Sequence, residues 1–570
     1  MPAMGNTLWP LALLTLAVTT AAATAATAAS ADSADSAALA PLPADAALEA
    51  AGARVGSITI RTAEIFDLDD PRENKRLYRL ANRLHLNTRA GAIRAQLLFQ
   101  SGERYRGQLL EETERNLRQL DFLREPRVRP IAWHDGVVDI LVETHDVWTL
   151  QVGPSYGRSG GRSDTSFEFQ DHNLLGFGKT LIAGNSHGVD RNSRYFEWRD
   201  PTVLGSHWRD SARWAHNSDG RDWLVQLWRP FYALAVRHSG GLTLEDATRI
   251  DTRYRLGNEY DHFQHRARWV DVYAGWSPGL STDRVLRLTV GWRQERDVFG
   301  PVPAGATATS ATATSAMPAS ATLAPVPGDR DLSFPYLRLD LLTNHFHTTR
   351  NQDQIERTED LKFGLSATLQ LGFATPNFGA DRRAMVYVSR ASYGWLLSER
   401  QQLYAGIGVD GRIEQGHAVD VRAASSLAWY WRTSRRTLTH VRFASDSGHA
   451  LDLDHYYLLG GDNGLLGYPL RYQQGSARMQ LKIEERGYTD WSIWRLLNVG
   501  GAVFFDAGRT SGRNPVGAPQ LGWLRDIGVG LRLGNNRSSL GNVIHIDLAT
   551  PLNGEHLSRL QFLVGTEATF

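Results

Sequence analysis

The sequence predicts a mainly β protein: a transmembrane antiparallel β-barrel preceded by a small α+β domain. Three observations carry this. An apolar export signal opens the chain, segment after segment from Trp148 onward alternates with period two, and aromatics abound, with 17 tryptophans and 18 tyrosines. A barrel strand meets lipid on one face and a wet lumen on the other, and rings of aromatics mark the interfaces. A soluble sandwich would alternate as well. The three features together favour the barrel.

Composition narrows the function. The 570 residues allow several domains or one large barrel. A net charge of +1 argues against a nucleic-acid binder. With no cysteine, disulfides, thiolate metal sites and a cysteine nucleophile are excluded.

Residues 1–28 read as a signal peptide. Leu8 to Val18 is apolar but too short to span a bilayer, and A-x-A cleavage options follow between Ala21 and Ala31. No Lys or Arg precedes Arg54, so the positive end is the amino terminus alone. Residues 29–52, rich in Ala, Ser, Asp and Pro, are expected to be a disordered linker. Beyond the signal there is no run of about 18 apolar residues, so a membrane-embedded form must be a closed barrel.

Residues 53–147 carry a different pattern. Val55 to Ile60 is a short strand, and Leu77, Leu80, Ala81 and Leu84 recur at helical spacing between Glu73 and Leu86. Leu109, Leu110, Thr113, Leu117 and Leu120 mark a second helical face. "RVRPIAW" and "VVDILVET" are strands joined at His134-Asp135-Gly136. The order strand, helix, helix, strand, strand, with "GERY" leading into "LLEETERNLRQLDFL", resembles the POTRA (polypeptide-transport-associated) domain of the periplasm. That resemblance implies a sheet edge offered to passing chains, with Val137 to Val142 the first strand to probe. Any other small α+β domain would fit the bare pattern.

Residues 148–570 read as the barrel. "KFGLSATLQLGF" places Phe363, Leu365, Ala367, Leu369, Leu371 and Phe373 on one face; "DIGVGLRLG" and "VIHIDLA" alternate in the same way, with Asp526, Arg532 and Asp547 on the wet side. Residues 301–330 are a low-complexity Ala/Thr/Ser/Pro stretch expected to form an extracellular loop. The chain ends "RLQFLVGTEATF", an alternating strand closed by an aromatic. Phe562 and Phe570 resemble the terminal signal by which outer-membrane barrels are recognised for insertion.

The loop "LLGGDNGLLGYPLRYQQGS" lies before the polar-faced strand "SARMQLKIEERGY" and upstream of "LNVGGAVFFDAGR". Together with "LRDIGVGLRLG", "HIDLATPL" and the earlier "HNLLGFGKTL", these motifs resemble the BamA/TamA-like outer-membrane assembly superfamily, from about Val55 to Phe570. The resemblance implies sixteen strands, although the segments counted directly run to about twenty. It implies that residues 458–475 fold back and plug the lumen. There the family's loop arginine, in V/I-R-G-F/Y, meets the aspartate of F-x-D-x-G. Here the loop reads Leu465-Leu466-Gly467-Tyr468, so leucine stands where arginine is expected, while Asp506 of "FFDAGR" is present. Arg471 is the expected substitute partner of Asp506, with Arg532 and Arg478 as alternatives. The site residues expected are therefore Gly467, Tyr468, Arg471 and Asp506.

Catalysis finds little support. "GPSYG" (Gly153 to Gly157) matches the G-x-S-x-G elbow, but it stands on a strand with no helix after it. No H-E-x-x-H occurs among the 18 histidines. No enzyme, cofactor or metal is expected. The resemblance implies a protein of the outer membrane with its small domain in the periplasm. It would insert barrel proteins into that membrane or pass polypeptides across it, the partners being the bilayer, unfolded clients and a periplasmic protein. The alternatives are a passive pore docking such a partner and a lipid-acting enzyme using Ser155.

Overall fold

The computed structural model describes residues 42–303, 324–539, 543–554 and 557–567. The signal-peptide reading, the middle of the low-complexity stretch and Phe570 lie outside them.

A three-stranded sheet comes first. Strands β1 (Arg54–Ala63), β2 (Leu123–His134) and β3 (Val137–Asp146) lie in the order β1–β3–β2, with β1 parallel and β2 antiparallel to β3. The central strand is therefore β3, and an added chain would find its edge at β1 or β2 rather than at Val137 to Val142. Helices α1 (Asp45–Ala50), α2 (Arg76–Leu84), α3 (Ala90–Arg94) and α4 (Gly107–Arg118) accompany the sheet. Leu110, Thr113 and Leu117 of α4 are buried, and Leu117 joins Ile93, Val138 and Ile140 in the core.

One expectation is corrected here. Helix α1 lies within the stretch read as linker to residue 52: Leu48 is fully buried, Tyr105 donates to Asp45 (2.7 Å) and Glu49 accepts from the Gly107 N–H (2.8 Å). One leucine and two carboxylates are enough, because Glu49 satisfies an amide that the start of α4 leaves open. Helix α2 forms where the spacing predicts a helix. It buries Tyr78 and Asn82, while Leu77, Leu80 and Leu84 face outward. Asn82 exchanges hydrogen bonds with both backbone groups of Phe66 (3.2 and 2.8 Å), so polar pairing, not the leucine stripe, sets which side docks.

After Trp148 twenty strands close a single antiparallel barrel among the described residues. The first is β4 (Leu150–Ser159) and the last is Gln561–Glu567. This corrects the sixteen that the resemblance implied: the alternating segments enter the wall instead of forming loop extensions. The short pieces Leu280–Ser281 and His345–Arg350 merely prolong their neighbours. Side chains such as Val152, Phe167, Trp214, Ile407, Val503 and Val529 stand exposed around the outside. A closed wall that turns apolar side chains outward is built for lipid, since no strand edge is left to seek water.

The alternation read from sequence breaks at one glycine. Leu369, Leu371 and Phe373 are exposed on the outer face, yet Phe363 is buried and stacks on Tyr404 at 5.6 Å. Between them Gly364 has φ +76°, a conformation L side chains rarely adopt, and it shifts the strand's phase by one residue.

Gly528 makes the packing inside testable. A Cβ there would overlap the ring of Phe504 at Cζ. Gly528→Ala is expected to cost about 1–3 kcal/mol and to lower the temperature at which the barrel loses its fast, folded mobility on a detergent gel. Gly565→Ala, where nothing lies within 4 Å, should leave that temperature unchanged.

Candidate functional site

Inward residues of the last strands meet the long loop that precedes them. Leu459 and Gln473 pair in a short hairpin, and the residues between turn back inside the wall. The Asn463 carbonyl accepts from Gln480, and Leu466 packs on Phe504, Ala549 and Leu563. Gly467 lies so close to Asp526 that a Cβ would stand 2.7 Å from its Cβ. Tyr468 is fully buried; its hydroxyl donates to the Asn553 carbonyl (2.8 Å) and accepts from the Arg525 N–H (3.1 Å). The loop is thus bolted to the last two hairpins.

Arg471 does not reach Asp506. Its guanidinium runs the other way and binds both oxygens of Asp190 (2.5 and 2.7 Å), with Asp462 at 3.2 Å, above the ring of Tyr254 at 4.6 Å. Nor do the alternatives serve: Arg532 pairs with Glu484 (2.9 Å) and Asp547, and Arg478 with Asp446 (2.7 Å). Asp506 stands in register with Lys482 on one side and Asp526 on the other. The expected arginine–aspartate pair is replaced by two separate features: a loop clamped at the far rim, and a Lys–Asp–Asp row across three strands.

Sequence reasoning missed a second loop. At the end where the small domain sits, residues 351–357 also turn into the lumen. Ile355 is buried among Tyr430, Leu438, Tyr488 and Val543. Arg486 and Tyr488 hold the Gln352 carbonyl (2.7 and 3.0 Å), and Arg486 also binds Asp353 (3.0 Å). Gly534 and Gly500 leave the dents that Ile355 fills. A lone isoleucine within the polar run "NQDQIERTED" was the available signal.

The small domain closes that end. Its contacts reach turns around the rim: Glu73 to Arg537 (2.6 Å) and Arg495 (3.1 Å), Arg118 to Asp360 (2.8 Å), Glu125 to Arg350 (2.8 Å) and Glu112 to the Leu234 N–H (2.8 Å).

Two other candidates carry no site. Ser155 sits mid-strand opposite Ser166, and β4 runs on past Gly157 without the elbow's turn. Asp420, Asp452 and His455 cluster as metal-type donors, but Arg412 binds both oxygens of Asp452 (2.8 Å each) and Arg330 adds a third contact (3.0 Å). Their charge is already balanced.

The wall is thinnest where it closes. Among the described residues the last strand meets β4 through one register pair, Val564 with Arg158, whereas β4 and its next neighbour share ten. The three strands before the closure have 12, 9 and 7 residues and the three after it 10, 10 and 8, against 18 and 19 in His238–Arg255 and Asn258–Trp276.

No family model and no curated protein matches the chain. Among solved structures it is similar to BamA from Haemophilus ducreyi lacking POTRA domains 1–3, with 13% identity over 89% of this chain and 84% of that one, TM-score 0.36. It is also similar to CdiB from Acinetobacter baumannii (11%, 90% and 73%, TM-score 0.41) and CdiB from Escherichia coli (12%, 89% and 75%, TM-score 0.40). In build, the chain is a closed outer-membrane-type barrel behind a small α+β domain. Such distant likeness assigns no residue a role; the roles of Arg471, Asp190 and the closure strands rest on this chain's own geometry.

Burial tends to raise Asp190, but Arg471 outweighs it and holds the carboxyl below its usual range. Arg471→Ala and Asp190→Ala are expected to be non-additive, with a coupling of about 1 kcal/mol in hydrogen-exchange protection of residues 458–475. Arg471→Ala and Asp506→Asn should simply add. A depressed carboxylate contributes above its ordinary pKa, so the coupling should persist at mildly acidic pH and vanish as pH falls through the lowered value.

Proposed function

We propose that the protein is an outer-membrane machine for polypeptides, inserting barrel proteins or passing chains across the membrane through its closure. The single observation that carries this reading is the lone register pair between the last strand and β4. Among the described residues every other junction of the wall has seven or more register pairs, so this one would part at the smallest cost in backbone hydrogen bonds. Pro154, Gly153 and Gly157 within β4 agree, since proline is confined to strands with an unpaired side and glycine weakens a ladder.

Strand length supports the same reading. A tilted strand needs about 9–11 residues to cross the hydrocarbon core. Among the described residues the strands beside the closure have seven to ten, at or below that need, which favours a thinned bilayer there. A thinned bilayer next to a separable seam lowers the barrier to a client strand. No nucleotide is at hand outside the inner membrane, so the client's own folding would supply the free energy. The periplasmic domain would receive the chain at β1 or β2.

A passive pore docking a periplasmic partner fits less well. Its lumen should be open, and here residues 458–475, residues 351–357 and the docked domain all stand in the path.

Because the chain has no cysteine, the closure can be locked cleanly. Arg158→Cys with Val564→Cys is expected to form a disulfide across the register pair and to abolish client insertion or secretion in cells, with recovery on reduction. A locked barrel that works as well as the unlocked one would sink the reading.

A further inference from the structure

Helix α2 carries a surface that no described residue covers. Leu77, Leu80 and Leu84 are 61%, 49% and 64% exposed, and Leu86 just beyond is 58% exposed. At 100° per residue these three leucines form one narrow stripe. Arg76, Arg79 and Arg83 form a second stripe alongside it, with Lys75 at the N-cap, and the helix contains no acidic residue. Tyr78 and Asn82, on the remaining side, hold the helix to the protein. Apolar and basic stripes side by side are the composition of a helix lying in a lipid interface.

Its place in the fold agrees. The Tyr78 hydroxyl donates to the Trp494 carbonyl (2.7 Å), and Glu73, just before the helix, binds Arg495 and Arg537. Just after it, the Arg89 N–H donates to the Gly176 carbonyl (2.9 Å) and its guanidinium to Leu175 (3.2 Å). Those turns flank the closure on both sides. They carry exposed side chains of their own: Trp491 at 64%, Trp494 at 74% and Leu175 at 55%. The leucine stripe therefore stands on a helix tied to turns whose own apolar side chains are exposed, as at a membrane interface.

We propose that α2 lies in the periplasmic leaflet beside the closure, its leucines among acyl chains and its basic residues against the phosphates of anionic phospholipid. This rests on the reading of the barrel as membrane-spanning. The occupant we commit to is lipid, not a client, partner or second copy, because the helix is tied to turns at the end of the outward barrel face and every charged residue on it is basic. The helix would hold the leaflet against the short strands.

The test uses the full chain, reconstituted in vesicles of phosphatidylethanolamine and phosphatidylglycerol and carrying one nitroxide at a time. Labels go on Leu80→Cys, on Val529→Cys of the outward barrel face, and on Asp135→Cys, whose side chain is 99% exposed in a turn of the small domain. Power saturation with oxygen and with a water-soluble nickel chelate gives depth. Leu80 is expected to behave like Val529, with oxygen the stronger relaxant, while Asp135 shows the reverse. Omitting phosphatidylglycerol should move the Leu80 label toward water. Leu80 in water, or immobilised and shielded from both reagents, with Val529 in lipid, would overturn this inference alone. Val529 in water would overturn the membrane reading beneath it. A Leu80 label in lipid whose depth ignores phosphatidylglycerol would overturn the phosphate contact.

Discussion

A twenty-strand barrel encloses more space than its own inward side chains can fill, and most of the interior of this protein answers that constraint. A small barrel packs its lumen with the residues of its strands. Here the wall supplies charged and aromatic side chains, and the remaining volume is taken by backbone: residues 458–475 from one end and residues 351–357 from the other. Backbone brought into a lumen must have its N–H and C=O groups satisfied. That demand explains why Tyr468, Gln480, Arg486 and Tyr488, all inward, spend their hydrogen bonds on main-chain atoms.

The same constraint is met at the loop's tip without an ion pair. A loop can be fixed by one buried ion pair at its tip or by several contacts along its length. Leu466 at the tip is apolar and sits on Phe504, so the tip is held by packing. The ionic fixing has moved to Arg471, at the rim, where water lowers the cost of bringing charges together. Asp506 is then left to the wall, beside Lys482 in register, and the two jobs that one pair would perform are separated.

How much of this could be read from the sequence depended on whether the signal was local. Strand alternation is local, and it placed Asp526, Arg532 and Asp547 on the wet side, where they are buried in the interior. The motifs around "FFDAGR" were legible because they are contiguous. Partners were not, since Arg471 and Asp190 lie far apart in the chain and nothing near either names the other. The docking side of α2 was not legible for a related reason. Leucines at helical spacing say that a stripe is apolar, not what it faces, and the side that docks is set by Tyr78 meeting a carbonyl of Trp494 more than four hundred residues away. Strand number was read better by counting segments than by resemblance, because each segment states its own alternation while a family's number is inherited.

Filling the lumen also constrains where such a barrel can open. With loops pinned from both ends and the small domain tied to turns around the rim, a path along the axis requires many contacts to break together. A path through the wall requires only the junction of β4 and the last strand to part. That junction lies within the run of short strands that extends to Gly220–Arg229, and the segment of the small domain from Glu73 to Arg89 binds turns on both sides of it. Bonds to both sides make that segment a brace: parting the wall must strain it or carry it along. The domain that closes one end of the lumen is thus the one tied to turns on both sides of the closure, so the plug and the seam are mechanically linked.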